Sequence, residues 1–432
     1  MKHIFFFCLL FLITLNTFSQ YGWVEQTSGV TATLTSVSSI YGYSFFSTAW
    51  VCGYTGVVLR TTNSGTNWIN KSGNGIPNTV SLINILGIDS STALTAGYIG
   101  TTATYVYKST NGGNNWIQVF TQAAGFINAI CRLSNGNLFM QGDPVGGRWS
   151  IWKSTNNGTT WDSAGMYLPQ IGSETGYNNC MFYNNQRIWF GTNNYKIYYS
   201  TNNGTSWITH PVPTEQNIYT IWFGMNQSEG LAAGANMLRT TNFGANWSPV
   251  TTLGSGNFGG ITSIPIYVDN IIIYENIYYV RSDNKIYFSQ QDAQNWLVHH
   301  TAPTGTYRYI GRKDPYGPYW AVRTLGGISY HASVGGLKSI SSEIPTAFSL
   351  KQNYPNPFNP LTTIEFDVPK SSHVVIKIYN SLGEEVTVLV NEKLNAGKFE
   401  YKYNAAGLTS GVYFYTLAAY GYSETRKMVL IK

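Results

Sequence analysis

Two stretches concentrate the side chains able to hold a ligand. Residues 142–149 (GDPVGGRW) carry Asp143, Arg148 and Trp149, and residues 166–179 (MYLPQIGSETGYNN) carry Tyr167, Glu174 and Tyr177. Asn194 and Tyr195, Arg281 and Asp283 extend the set, with Glu215 and Arg323 as further members. Aromatic rings beside amides and a few charges suit stacking on sugar rings and hydrogen bonding to hydroxyls. The plainer reading is solvated loops without a ligand. Glycosidic hydrolysis asks instead for two facing carboxylates. Twelve acidic residues lie between positions 21 and 340, and no pair among them stands out by spacing. The histidines at 3, 210, 299, 300, 331 and 373 lack metal-ligand spacing. Neither a phosphate-cradling glycine loop nor a nucleophile elbow is found. These residues point to binding before catalysis, with no cofactor and no metal.

A repeat must position them. TTNSGTNW (61–68) returns as STNGGNNW (109–116), STNNGTTW (154–161), STNNGTSW (200–207), TTNFGANW (240–247) and a decayed SQQDAQNW (289–296). The closing tryptophans recur at spacings of 48, 45, 46, 40 and 49 residues. A period in the forties with strand-like flanks marks a radial or stacked β repeat. Each copy expands into four short strands, as at 81–88, 92–98, 105–109 and 116–120. Trp23, in YGWVEQ, reads as a last strand without its first three; YRYIGRKD, YWAVRTL and ISYHAS read as three strands without a fourth. Joining these halves predicts an all-β fold: a seven-bladed β-propeller over residues 20–337, closed by the N-terminal strand so that no sheet edge stays open. In this strand order the candidate loops lie on the face opposite the recurring turns. Within each turn, Asn at the third position is expected to accept a backbone N–H two residues on. Gly at the fifth takes a positive φ, and Trp at the eighth packs between neighbouring sheets.

Composition agrees with a folded, turn-rich chain: of 432 residues, 11% are charged, 15% are aromatic and 44 are Gly. The formal charge of +6 forms no basic run longer than two residues, which argues against nucleic-acid binding. Residues 1–19 (MKHIFFFCLLFLITLNTFS) read as an export signal cleaved before Gln20. The apolar run is too short to span a bilayer, and no later segment could cross one as a helix. Cys52, Cys131 and Cys180 remain, an odd set without metal spacing; Cys52 and Cys131 fall inside apolar strand patterns and are expected as buried free thiols. Residues 338–347 read as a linker. Beyond them, 348–432 alternate as strands of an immunoglobulin-like β-sandwich, with Ile364, Phe366 and Val368 on one face.

The recurring turns resemble the Asp-box, or bacterial-neuraminidase repeat, with Asn in place of the usual Asp. That family's box is structural and sits on the outer rim. Sialidases share it, but their arginine–proline signature is absent here; xyloglucanase-like glycosidases share it too. A glycoside hydrolase of either kind is the alternative to a binding module. A photosystem-assembly-like propeller also shares the repeat, without other support in the chain. The NYPNPFNP segment at 353–360, followed by TTIEF, IYNSLGEEV, LTSGVYFY and RKMVLIK, resembles the type A C-terminal sorting domain of the type IX secretion system of Bacteroidetes-like bacteria. That resemblance implies a secreted or outer-membrane-surface protein, with the secretion machinery as partner of the C-terminal domain. An extracellular glycan or surface protein would then be the partner of the propeller.

Overall fold

The computed structural model describes residues 23–40, 48–213, 216–224, 227–268, 271–290, 293, 295–311, 319–331, 337–341, 343–394, 396–405 and 408–431. The expected export signal and Glu215 lie outside these residues. The chain divides into two compact units, Gly22–Gly335 and a second holding Gly336–Lys432. Every regular element among the described residues is a strand.

The first unit holds seven antiparallel sheets. The first sheet comprises Leu34–Ile40, Thr48–Gly53, Val58–Thr61 and Ile69–Asn70, and the second Ser81–Gly87, Ala93–Ile99, Ala103–Ser109 and Ile117–Ala123. The third has Ile127–Arg132, Leu138–Val145 and Arg148–Ser154; the fourth has Gly176–Asn184, Arg187–Thr192, Lys196–Ser200 and Ile208–Pro211. The fifth comprises Thr220–Phe223, Gly230–Ala233, Met237–Thr240 and Ser248–Pro249, and the sixth Phe258–Val268, Ile271–Arg281, Lys285–Gln290 and Leu297–Thr301. The seventh pairs Tyr307–Gly311, Tyr319–Arg323 and Ile328–His331 with Val24–Gln26 from the start of the chain. That last pairing sets Val24 opposite Tyr330 and Gln26 opposite Ile328, the closure the unmatched half-repeats require.

Burial explains the strand sequences. First strands such as SLINILG (Ser81–Gly87) are buried at nearly every position, whereas last strands such as Ile117–Ala123 are half-buried or exposed. Apolar clusters fill the spaces between successive sheets. Trp50 and Val58 of the first sheet meet Leu82, Ile85 and Trp116 of the second. Leu34, Val51 and Leu59 of that same first sheet meet Trp320, Val322 and Ile328 of the seventh. Each fully buried tryptophan takes about 200 Å² out of water, a gross gain of roughly 5 kcal/mol before the entropy of ordering is subtracted. The third sheet departs from expectation. Where a fourth strand was expected at Trp161, single bridges tie Lys153 to Asp162 and Arg148 to Pro169.

The recurring turn uses its residues differently from the expected two-residue Asx closure. In the third copy the Ser154 hydroxyl accepts the N–H of Gly158 at 2.9 Å and donates to Asn156 Oδ1 at 2.9 Å, which in turn accepts the N–H of Thr160, four residues on, at 2.9 Å. The same ladder recurs at Ser200, Asn202, Gly204 and Ser206. The first-position hydroxyl, not noted as functional in sequence, therefore closes the tight inner ring, and Asn closes the wider one. Asn157 and Gly158 hold φ of 60° and 80°. A Cβ on Gly158 would stand 2.5 Å from Leu94 Cδ2 of the preceding sheet, so glycine is needed for space as well as conformation. The terminal tryptophans pack on neighbouring sheets, Trp116 edge-on to Trp50 at 5.9 Å and Trp68 to Trp320 at 6.4 Å. In the decayed sixth copy, residues 291, 292 and 294 are outside the described set.

The second unit contains two four-stranded antiparallel sheets. Ile364, Phe366 and Val368 are wholly buried and share one core with Ile376, Ile378, Tyr415, Leu417 and Met428. Residues 338–347, read as a linker, begin inside a strand: Leu337–Ser341 pairs with Gly397–Asn404 at the edge of one sheet. Two asparagines of NYPNPFNP, Asn353 and Asn356, bond into the domain. Asn353 donates its side-chain amide to Thr362 Oγ1 at 2.8 Å, and Asn356 Oδ1 accepts the N–H of Val429 at 2.9 Å.

Candidate functional site

The first strands of all seven sheets surround one cavity of about 570 Å³. Its wall runs from Ser36, Asn84, Asn179 and Thr220 to Arg132, Asn184, Phe223 and Gly311, so it extends towards the finishing, C-terminal ends of these inner strands. At the other limit Asn179 reaches across it. Its Oδ1 accepts from Ser36 Oγ at 3.1 Å and Asn84 Nδ2 at 2.6 Å, while its Nδ2 donates to Ile83 O at 3.1 Å. One fourth-sheet residue thus ties the first and second sheets together, at a φ of 62°. Among the described residues no group of three or more His, Cys, Asp or Glu is placed to hold a metal ion. No helix among them is long and apolar enough to cross a membrane.

The candidates read from sequence gather at the opposite, starting ends of the inner strands. Asp143 N bonds to Phe126 O, just before the third inner strand, and Ser282 N bonds to Asn257 O, just before the sixth. Asp143, Glu174, Tyr177 and Asn194 are brought into one neighbourhood, with Trp149 beneath them. Trp149 is a correction: it is 1% exposed, packs on Phe190 at 4.8 Å, and presents no face for stacking. Its position in the Arg148–Ser154 strand, not in a loop, directs it into the core between the third and fourth sheets.

Glu174 is wholly buried and fully engaged. It pairs with Lys196 at 2.6 Å and accepts from Tyr198 OH at 2.7 Å, Ile171 N at 3.2 Å, Asn194 Nδ2 at 3.3 Å and Trp149 Nε1 at 3.4 Å. Burial pushes its carboxyl up, but the Lys196 and Tyr198 bonds outweigh that and hold it below the ordinary range. Asp143 goes the other way. Burial raises it, only partly offset by bonds from Asn128 Nδ2 and Gly176 N, both at 2.8 Å. Tyr177 stacks edge-on to Tyr219 at 4.6 Å, and burial pushes its phenol up to about 12. Arg281 and Asp283 stand apart on the sixth sheet as a closed trio: an ion pair of 2.9 Å with Tyr287 OH 2.8 Å from the guanidinium and 2.7 Å from the carboxylate. Arg148 donates to Ser163 at 3.4 Å. Tyr167 and Tyr195 remain exposed, at 63% and 43%.

Arg323, also a sequence candidate, serves the closing pairing. It is 4% exposed, pairs with Glu25 of the N-terminal strand and donates to Ser329 Oγ at 2.9 Å. His300 and Ser329 reach Glu25 Oε1, each at 2.7 Å. Burial raises the Glu25 carboxyl, but His300, Ser329 and Arg323 together hold it below its ordinary value. Cys52 and Cys180 are buried free thiols, pushed up to about 12 by burial.

The C-terminal sheets and these two asparagines, Asn353 and Asn356, correspond to a known address. Residues 352–432 match the secretion system C-terminal sorting domain. This sorting domain, recognised by the type IX secretion system, places the protein in the extracellular space or on the outer-membrane surface. The remainder is similar to propellers. It resembles the photosystem II assembly lipoprotein Ycf48 of Synechococcus sp. (strain CC9902), 25% identical over 231 residues covering 44% of this chain and 67% of that protein. Among solved structures, YCF48 bound to D1 peptide aligns with a TM-score of 0.56 at 15% identity, covering 72% of this chain and 97% of that one. The WD40 β-propeller domain of Doa1 aligns with a TM-score of 0.50 at 10% identity, covering 71% and 96%. At such identities the likeness is one of fold: the unit preceding the sorting domain is propeller-like and all-β.

Proposed function

We propose that the first unit is a seven-bladed propeller, exported behind a cleaved signal, that binds a glycan or another envelope partner outside the cell without catalysis. The observation that carries the non-catalytic reading is the state of the carboxylates. Glu174 and Asp283 spend both oxygens on internal donors and Asp143 spends Oδ1 on Asn128 and Gly176, whereas a glycosidase needs a carboxyl pair free to meet its substrate. The blade count is supported by the closing pair of Val24–Gln26 with Ile328–His331 and by apolar packing from each sheet to the next. The hydroxyl–Asn–Gly ladder supports the Asp-box likeness, and the two facing sheets of the sorting domain support an immunoglobulin-like sandwich.

A glycan array combined with a reducing-sugar assay on the secreted full chain tests this reading. Retention of a glycan with no release of reducing sugar is the expected result. Release of sugar that Asp143→Asn abolishes would establish the hydrolase instead. If neither assay responds, the partner is a polypeptide, as in the fold neighbour solved with a bound D1 peptide.

A further inference from the structure

We propose that the central cavity, not the loop cluster around Asp143 and Glu174, is the ligand site, and that it takes the neutral end of a glycan, one or two sugar rings deep. This rests on the glycan-binding reading above and moves its location. The cavity's 570 Å³ falls among volumes typical of small-ligand sites. Its lining alternates hydroxyls and amides, such as Thr220, Thr262 and Asn184, with the apolar surfaces of Phe182 and Trp222. That mixture matches a sugar, whose hydroxyls exchange hydrogen bonds while its C–H faces rest on aromatic carbon.

Charge narrows the class. Among the described residues no Asp, Glu, Lys or His lines the cavity, and the single charged residue of that lining, Arg132, is exposed at its finishing end. An ionised ligand held deep inside would lose its hydration without a counter-charge. The described lining offers no carboxylate to protonate a glycosidic oxygen.

A second observation points the same way. Ser263, 1% exposed, lines this cavity, and its hydroxyl has no hydrogen-bond partner among the described residues. An unpaired buried hydroxyl is a standing cost that a ligand hydroxyl at the same spot would relieve. Asn179 supplies the floor, because its amide is already consumed by the first and second sheets and blocks deeper entry.

The test titrates the full chain by calorimetry with neutral disaccharides (maltose, cellobiose, chitobiose) and with an anionic one, digalacturonic acid. A neutral disaccharide should bind. Ser263→Ala should weaken it about tenfold, the loss of one hydrogen bond, while the melting temperature of the free protein stays level or rises. Opposite signs for affinity and stability are the signature of a hydroxyl kept for a ligand. Tyr167→Ala and Tyr195→Ala should leave the affinity unchanged. If those two abolish binding and Ser263→Ala does not, the glycan role stands and the cavity assignment falls. Preference for digalacturonic acid, lost in Arg132→Ala, overturns the neutral class. If the chain retains no saccharide on the array or in the calorimeter, the glycan reading itself fails and this inference with it.

Discussion

The two ends of the inner strands differ in how their polar groups are spent. At the starting ends, charged side chains are plentiful and mutually satisfied: Glu174 with Lys196 and Tyr198, Asp283 with Arg281 and Tyr287, Glu25 with Arg323 and His300. In the cavity towards the finishing ends, Arg132 is the one charged residue of the described lining, and the Ser263 hydroxyl lies buried with no hydrogen-bond partner among the described residues. Abundant functional groups therefore mark where the ring is held together, and sparse ones mark where a ligand can be received. A polar group is available to a partner only when the fold has not already used it.

The largest effect should come from Glu174→Ala. Removing a buried carboxylate leaves Lys196, Tyr198 and Trp149 without their acceptor, and unfolding by urea should show a loss of about 3–4 kcal/mol. Unchanged stability would dissolve the contrast between the ends. Gly204→Ala comes next, at about 2 kcal/mol by the same measurement. The substitution places a Cβ at a φ of 83° and 2.6 Å from Phe139 Cε2.

Glu25→Gln should cost about 1–2 kcal/mol at neutral pH, the worth of charged hydrogen bonds in the closing sheet. The sign follows from its lowered carboxyl. The stabilisation is complete above the ordinary value of 4.5 and is lost as pH falls through the lower folded value. Thermal melts of wild type and variant should therefore converge below that pH, and curves that stay parallel would refute it.

Asp143→Asn should have the smallest effect. Its raised carboxyl means that the folded state loses stability as pH rises past the ordinary 3.8. An amide keeps the acceptor for Asn128 and Gly176, so at pH 7 the variant should match or exceed wild type by up to about 1 kcal/mol. The neighbouring acids Glu174 and Asp143, one lowered and the other raised, thus respond with opposite signs, which sharpens the comparison within one end.

Architecture was legible in the sequence because it repeats: a tryptophan every forty-odd residues and a lone Trp23 strand are enough to propose how the ring closes. The site was less so, since alternation within a strand decides which way a side chain faces. Trp149 looked like part of a loop because Gly146 and Gly147 precede it, yet it is the second residue of a strand and points into the core. The cavity groups were hidden for the converse reason. Asn84 and Ser263 sit inside runs dominated by apolar residues, where a polar residue reads as tolerated, not placed. Asn179 stood within the MYLPQIGSETGYNN segment, but its reach to two other sheets depends on ring geometry that no local pattern encodes.

The Val24–Gln26 strand also sets the order of events when the protein is made. Its partner Ser329 lies 304 residues downstream of Glu25, so this strand must wait for almost the whole ring before it can pair. Loop closure over such a span is slow and cannot be rewarded piecemeal. A nascent chain stopped short of Ile328 would carry two raw sheet borders at once, and delivery outside the cell would find it either finished or sticky.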